Sequence, residues 1–372
     1  MGHEGDEGDE GAARRRRGTV IRSTGKWYEV HTREGTVRSR VRGKFRLEDQ
    51  QATNPIAVGD EVSLRMNDDG TGLITEIHPR RNKLSRRSAG PRPDEEHVLV
   101  ANVDRAWEVQ AVAEPGIDPA HVDRFLIMAQ VHEIPAGLIV NKIDLLREAE
   151  SDPDADAEAL RAEVDRWTAI YRDLGHPVLH TSAETGEGLE TLREALRGRT
   201  NVFTGPSGVG KSTLLNRLEP DLELRTGAVS PGSRRGRHTT THAGLYPLSS
   251  GSDSGEAGAG PSSEGEATVG ASSENAASPE EDVGEGGYVI DTPGVEGFGL
   301  VGVAPEELDW FFPEMREYVP DCHFPDCTHD HEPRCAVQEA VEDGAIFQER
   351  YESYLEILHQ LQEERDQRDR PR

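Results

Sequence analysis

Gly205-Pro206-Ser207-Gly208-Val209-Gly210-Lys211-Ser212 is the stretch that decides the fold. It fits G-x-x-x-x-G-K-[S/T], follows the apolar run Thr200-Asn201-Val202-Phe203-Thr204 and opens Ser212-Thr213-Leu214-Leu215-Asn216, so a strand leads in and a helix leads out. In that context the backbone N–H groups of residues 206–212 wrap phosphates and the helix N-terminus adds its positive end. Lys211 then reaches the β- and γ-phosphates, and the Ser212 hydroxyl ligates Mg2+. The expected phosphate site runs from Gly205 through Pro206, Ser207, Gly208, Val209, Gly210, Lys211 and Ser212 to Thr213.

A second buried-strand pattern, Gly287-Tyr288-Val289-Ile290, ends in Asp291-Thr292-Pro293-Gly294. Alone this tetrapeptide is an ordinary turn. Beside the phosphate loop, it places Asp291 to hold the Mg2+ shell and the Gly294 N–H to meet a γ-phosphate.

Two segments read a base. Asn141-Lys142-Ile143-Asp144 follows the strand pattern Ala136-Gly137-Leu138-Ile139-Val140. Asp144 accepts from the ring N–H and exocyclic amine that guanine offers and adenine cannot offer together. Asn141 braces the loops, and the Lys142 stem covers the base face. Thr181-Ser182-Ala183 follows Pro177-Val178-Leu179-His180, and there the Ala183 N–H meets the guanine carbonyl. In isolation the first of these would read as a solvated turn with an Asp cap; together they favour GTP over ATP.

The order of these pieces carries more than any one of them. In the ordinary arrangement the phosphate loop comes first and the base readers last; here the base readers lead. The chain has been rotated, which the fold permits because the nucleotide site is made by loops at the carboxyl ends of parallel strands.

Composition agrees with several units. The chain has 372 residues, more than one core usually serves. The start, MGHEGDEGDE, is acidic and no run of 18 apolar residues occurs, so neither a secretory signal nor a membrane span is expected. The net charge is −28, yet residues 11–92 carry 19 basic and 9 acidic side chains, leaving −38 on the rest. A basic end on an acidic chain is a nucleic-acid footprint. The same stretch holds five short β-patterns: Thr19-Val20-Ile21, Trp27-Tyr28-Glu29-Val30-His31-Thr32, Thr36-Val37-Arg38-Ser39-Arg40-Val41, Glu61-Val62-Ser63-Leu64-Arg65 and Gly72-Leu73-Ile74-Thr75-Glu76-Ile77. Five strands suit an OB-type barrel. Five lysines against 37 arginines fit either a salt-rich cytoplasm or a GC-rich genome. Residues 249–287 are Gly/Ser/Ala-rich with nine acidic and no basic side chains, which reads as a disordered insertion.

All three cysteines fall in Cys322-x4-Cys327-x-His329-x5-Cys335. Three thiolates and an imidazole close a tetrahedral Zn2+ site with no open position, hence structural. His323 and His331 compete with His329, which the spacing favours. Little core is expected in this piece without metal. Beyond it, Ile346, Phe347, Tyr351, Tyr354, Leu355, Leu358 and Leu361 give the stripe of an amphipathic helix whose tail frays after Glu363.

The expected architecture is therefore an N-terminal all-β OB-fold barrel, a central α/β P-loop domain in rotated order and a C-terminal, mainly helical zinc-binding unit. The divisions are 1–17 a disordered tail, 18–92 the barrel, 93–300 the nucleotide domain with its insertion, and 301–372 the zinc unit. With the Gly236-Arg237-His238-Thr239-Thr240 loop in its place, this order resembles the RsgA (YjeQ) family, circularly permuted GTPases of bacterial small-subunit assembly. The resemblance spans about residues 18–360 and departs from the family in the acidic insertion and the long N-terminus. It implies GTP hydrolysis to GDP stimulated by the ribosome and binding to small-subunit rRNA late in maturation. A cytoplasmic, monomeric protein with Mg2+ and one Zn2+ is expected.

The hydrolytic group is open. Val295 follows Gly294 where Ras-like enzymes orient water through Gln. Within Arg234-Arg235-Gly236-Arg237-His238-Thr239-Thr240-Thr241, Thr240 completes the Mg2+ shell and His238 is the nearest group to orient water; a ribosomal group in trans is the alternative. A second reading keeps GTP as a structural ligand of an rRNA-binding scaffold, and a lesser one is a permuted GTPase of the large subunit. Because the segment after Gly294 runs through Phe298-Gly299-Leu300 into the zinc unit, nucleotide state is expected to move that unit relative to the barrel.

Overall fold

The computed structural model describes residues 15–41, 55–87, 96–153, 155–222, 244–249, 287–291, 300 and 302–369. Alternating apolar residues close the first strands into a barrel. β1 (Arg15–Thr24), β2 (Trp27–Thr32) and β3 (Gly35–Val41) form an antiparallel meander; β3 pairs in parallel with β5 (Gly72–Ile77), which pairs with β4 (Glu61–Met66). β4 returns to β1 and removes the edges. Val20, Val30, Val37, Val62, Leu64 and Ile74 fill the interior. Arg15, Arg16 and Arg17, expected in the tail, instead belong to β1 and lie opposite Arg65, Leu64 and Ser63. The open side of β4 offers them a ladder, and Arg17 pairs with Glu61 at 2.5 Å.

A hairpin of β6 (Lys83–Arg87) and β7 (Glu96–Ala101) follows, spanning residue 92. The barrel docks on it closely. Gly59 has φ of +89°, and a Cβ there would stand 2.0 Å from the Ala101 carbonyl, so only glycine fits. Asp60, buried, accepts two bonds from Arg80, at 2.6 and 2.8 Å, and one from the Ala57 N–H at 2.8 Å.

The central sheet runs β10 (Val178–His180), β9 (Ala136–Asn141), β8 (Arg105–Ala111), β11 (Thr200–Thr204), β13 (Tyr288–Asp291), β12 (Gly244–Pro247). All its neighbours are parallel except β12 with β13, and one residue pair, Arg22 with Gly244, joins β12 to the barrel. Both faces are covered, as a parallel sheet requires. α4 (Leu189–Leu196) and α5 (Lys211–Leu218) pack on Trp107, Val109, Ile139 and Phe203. On the other face, α1 (Pro119–Val131) and α3 (Ala157–Asp173) cover Ala106, Leu138, Val140 and Val202. α1 starts sharply because Asp118 caps the His121 N–H at 3.0 Å and Pro119 follows. The short α2 (Asp144–Ser151) follows β9.

The C-terminal unit comprises α6 (Ala336–Glu342), the long α7 (Gln348–Asp369) and two 3-10 turns, Pro305–Phe311 and Val319–Asp321. Its core is not separate: Leu308, Phe312, Met315, Tyr354, Ile357 and Leu358 are continuous with Val122, Phe125 and Ile127 of α1. The scarcity of core expected for this piece is thus made good by the neighbouring helix. α7 also continues past Glu363, where fraying was expected, and there Arg365 pairs with Glu306. That pair draws α7 against the first 3-10 turn. No described helix is long and apolar enough to cross a membrane.

Candidate nucleotide site and metal centre

Asn141–Asp144, Thr181–Ala183 and Gly205–Ser212 come together after the carboxyl ends of β9, β10 and β11, with the end of β13 alongside. The phosphate loop turns on three glycines in the left-handed half of the map: Gly205 at φ +139°, Gly208 at +90° and Gly210 at +94°. A Cβ on Gly205 would lie 2.2 Å from the Val109 carbonyl, and one on Gly210 would lie 2.6 Å from Asn141 Nδ2. The loop is therefore pressed against the sheet and the base-reading segment, with no room for side chains. Lys211, at the first turn of α5, donates from Nζ to the Gly205 and Pro206 carbonyls at 2.6 and 2.8 Å. Ser207 is exposed at the loop crest, Val209 is buried beneath it, and Ser212 and Thr213 open the helix.

Asn141 is the hub. Fully buried at the end of β9, it donates from Nδ2 to the Val209 carbonyl at 2.9 Å. Its Oδ1 accepts from Thr181 Oγ1 at 3.1 Å and from the Ala183 N–H at 3.3 Å. One side chain thus ties the phosphate loop to both base-reading segments. Ser182 Oγ donates to Asp144 Oδ1 and accepts from the Thr185 N–H at 3.0 Å, which orients the carboxylate at the start of α2. Gly188 lets the Ser182 loop close, because a Cβ there would strike the His180 carbonyl at 2.0 Å. Lys142, at φ +61°, sends its ammonium to the Glu114 carbonyl at 2.7 Å, so its stem stretches from β9 toward the loop after β8.

Asp291 ends β13 opposite Phe203 of β11, one strand from the phosphate loop. Its side chain lies outside what is described, as do His238, Thr240 and Gly294. The glycine cradle, the Lys211 ammonium and the Ser212 hydroxyl are what a Mg2+-bound polyphosphate requires.

In the C-terminal unit, donor atoms of Cys322, Cys327, His329 and Cys335 lie within 4.8 Å of one another. His329 Nδ1 stands 3.3 Å from Cys335 Sγ and 3.6 Å from Cys322 Sγ, while its Nε2 faces Asp309 Oδ2 at 3.5 Å. A carboxylate on the far ring nitrogen fixes the tautomer that leaves Nδ1 as a ligand. The turn is held from outside: Tyr351 donates to the His329 carbonyl at 2.6 Å and Tyr354 to the Thr328 carbonyl at 2.9 Å. Its competitors point elsewhere, since His323 meets Arg334 and His331 is exposed. Burial first, then the neighbouring thiols, pushes Cys327 up to about 12, and burial raises Cys335 as well. A divalent cation at the focus would offset that cost by holding the thiolates. The donor set fits a metal.

The sequence reading did not find Asp309, the Glu114 carbonyl, the buried Glu108 or the half-buried His121 behind the phosphate loop. Asp309 has no local signal. Glu108 had one: an acid inside a strand whose residues Ala106–Ala111 are all buried.

Comparisons with known proteins agree with this geometry. Residues 77–254 match the family described as RsgA GTPase and residues 17–74 its N-terminal domain. A small ribosomal subunit biogenesis GTPase RsgA of Bacteroides fragilis is 37% identical over 348 residues, covering 93% of this chain and 97% of that protein. Its counterpart from Flavobacterium psychrophilum is 36% identical over 345 residues, covering 92% of each. Among solved structures, YjeQ from Thermotoga maritima superposes with a TM-score of 0.65 at 33% identity, over 93% of this chain and 98% of that one. YloQ, described as a circularly permuted GTPase, gives 0.62 at 26% identity over the whole of both chains. With a five-stranded barrel ahead of a permuted nucleotide domain, and relatives matching over nearly its full length, the chain belongs to the RsgA GTPase family.

Proposed function

We propose that this GTPase acts in late assembly of the small ribosomal subunit, binding the particle and leaving it when GTP is hydrolysed to GDP and phosphate. The observation that carries the nucleotide half is Asn141, bonded at once to the phosphate loop and to both base-reading segments. The ribosomal half is supported by the relatives, named as small-subunit biogenesis GTPases.

In this reading Asp144 recognises guanine, the Ala183 N–H meets the base carbonyl and Lys142 covers the base. Residues Gly205 to Thr213 hold the phosphates, the Gly294 N–H meets the γ-phosphate, and Ser212, Thr240 and Asp291 hold the Mg2+. Mg2+ when bound neutralises charge on the β- and γ-oxygens. Lys211 would add positive charge at the same phosphates, and His238 would orient water. We assign the cysteine–histidine cluster to one structural Zn2+ per chain. The barrel would meet rRNA through phosphates and through Trp27, over which the guanidinium carbons of Arg38 and Arg40 stack at 4.3 and 3.8 Å. A monomer in the cytoplasm, with the barrel beginning at β1 and further divisions at residues 92 and 300, completes the proposal.

The test is single-turnover GTP hydrolysis with and without small subunits, with particle occupancy followed after a GTP chase. Stimulation by the subunit and loss of occupancy on hydrolysis are expected. Val295, which cannot polarise water, favours the scaffold reading, and that reading predicts equal rates and unchanged occupancy.

A further inference from the structure

β8 breaks the pattern of a strand buried in a parallel sheet. Trp107, Val109 and Ala111 fill the core under α4 and α5, but Glu108 and Gln110 alternate with them and are fully buried as well. Glu108 Oε1 accepts from Gln110 Nε2 at 2.8 Å and makes an ion contact of 3.2 Å with His121 Nε2 on α1; Glu108 Oε2 and His121 Nε2 both lack a hydrogen-bond partner. Gln110 is fixed in turn, accepting the Asp118 N–H at 3.1 Å. Thr204, in register with Glu108 on β11, also leaves its buried hydroxyl without a partner.

This polarity sits at the root of the phosphate loop. A Cβ on Gly205 would come within 3.3 Å of Glu108 Oε1. Phosphate binding has no use for an acid there: a buried negative charge behind a loop that receives a polyphosphate opposes the ligand, and low dielectric strengthens the effect. A proton on the pair removes the conflict.

We propose that Glu108 and His121 are a proton-holding positioning pair behind the phosphate loop, so that nucleotide binding takes up a proton and affinity falls as the pair loses it. The proposal rests on the reading of residues 205–213 as the phosphate site. The groups facing the pair agree with it. Burial pushes the Glu108 carboxyl up, held back by His121, Gln110 and the Lys211 charge. Burial pulls the His121 imidazole down, but Glu108, with Asp118 adding, outweighs this and leaves it above its ordinary value, with Arg124 opposing. The proton on the pair is therefore lost only as pH rises through the raised imidazole value. Above it the pair is net negative and repels phosphate.

The experiment is calorimetric titration of the full chain with GDP and Mg2+ in two buffers of unlike ionisation enthalpy, between about pH 6 and 8. Wild type is compared with Glu108→Gln and His121→Gln. Protons from nucleotide and Mg2+ are common to all three, so the difference reads the pair. Wild type is expected to take up more protons than either variant. Its affinity should fall about threefold to tenfold across that range while both variants stay flatter. Equal proton counts in wild type and His121→Gln would overturn the proposal, and so would parallel pH profiles. His121 is partly exposed, so its variant keeps the test alive if Glu108→Gln does not fold. Absence of GDP binding by the wild type would overturn the phosphate-site reading, and this proposal with it.

Discussion

Asn141 Nδ2 donates to the Val209 carbonyl at 2.9 Å, and through that bond the strand end proposed to read the base is fastened to the glycine-rich loop proposed to hold the phosphates. The two residues are 68 positions apart. Asn141→Ala removes this bond and strands the Val209 carbonyl, the Thr181 hydroxyl and the Ala183 N–H together. A buried group left unpaired costs about 1–3 kcal/mol, so GTP affinity should fall roughly 10-fold to 100-fold. Fluorescent-nucleotide titration checks this; a loss under about twofold would deny Asn141 the role of hub.

Asp144→Asn exchanges an acceptor for a donor opposite the guanine substituents. Affinity should shift from guanine toward xanthine nucleotide, by about 10-fold or more in the ratio. Competition between GTP and XTP measures it, and an unchanged preference would remove Asp144 from the base site.

Chelation should release about one zinc per chain and lower the melting temperature of the C-terminal unit. Cys327→Ser should do the same without chelator. Because the core of this unit is shared with α1, the central domain should lose part of its stability too. Full zinc content and unchanged melting in Cys327→Ser would refute the assignment.

Arg350 of α7 is buried between Asp123 of α1 and Glu314, which accepts from Nε at 2.6 Å, while Tyr171 donates to Asp123 at 2.9 Å. Removing one partner of such a group leaves buried charge, so Arg350→Ala should destabilise by about 3–5 kcal/mol. Arg350→Met combined with Asp123→Asn and Glu314→Gln should recover most of that loss in urea denaturation. The same bond network makes α1 and the C-terminal unit one body. A nucleotide-driven motion of that unit must therefore carry α1 with it, and a spin-label distance from α1 to α7 should not change between GDP and a non-hydrolysable GTP analogue.

If, as proposed, the barrel meets RNA largely through phosphates, binding of the particle should weaken steeply with salt. Arg38→Ala with Arg40→Ala should lower affinity and reduce the slope of log K against log salt by about 1–2. Pelleting at several salt concentrations supplies the slope, and an unchanged one would move the contact elsewhere on the chain.

What could be read from residues alone was whatever chemistry is local. The alternation in Trp27–Thr32 and Glu61–Met66 gave strands because side chains on a strand repeat every second residue. The run from Gly205 to Ser212 gave a phosphate loop because its glycines and lysine act within one turn. The spacing of Cys322, Cys327, His329 and Cys335 lets one short turn gather four donors, and the order of motifs exposed the rotation. Three expectations met the limit of such reasoning. Arg15 to Arg17 looked like a free arm, but the other half of their ladder is 46 to 50 residues away in β4. The helix beyond Glu363 looked unsupported, but its partner Glu306 is 59 residues upstream. The C-terminal piece looked short of core, but α1 supplies it.

The sequence by itself determined the order of barrel, nucleotide domain and C-terminal unit and singled out candidate side chains for nucleotide and metal chemistry, because those depend on neighbours within a few residues. Tertiary structure alone decided that Asn141 meets Val209, that Glu108 meets His121 behind the Gly205 turn, that Asp309 faces His329, and that Arg350 locks α7 to Asp123. Each of these depends on the register of strands or the seating of helices distant in sequence. Burial then turns proximity into energy, because a polar group shut away from water must find its partner wherever the packing has put it.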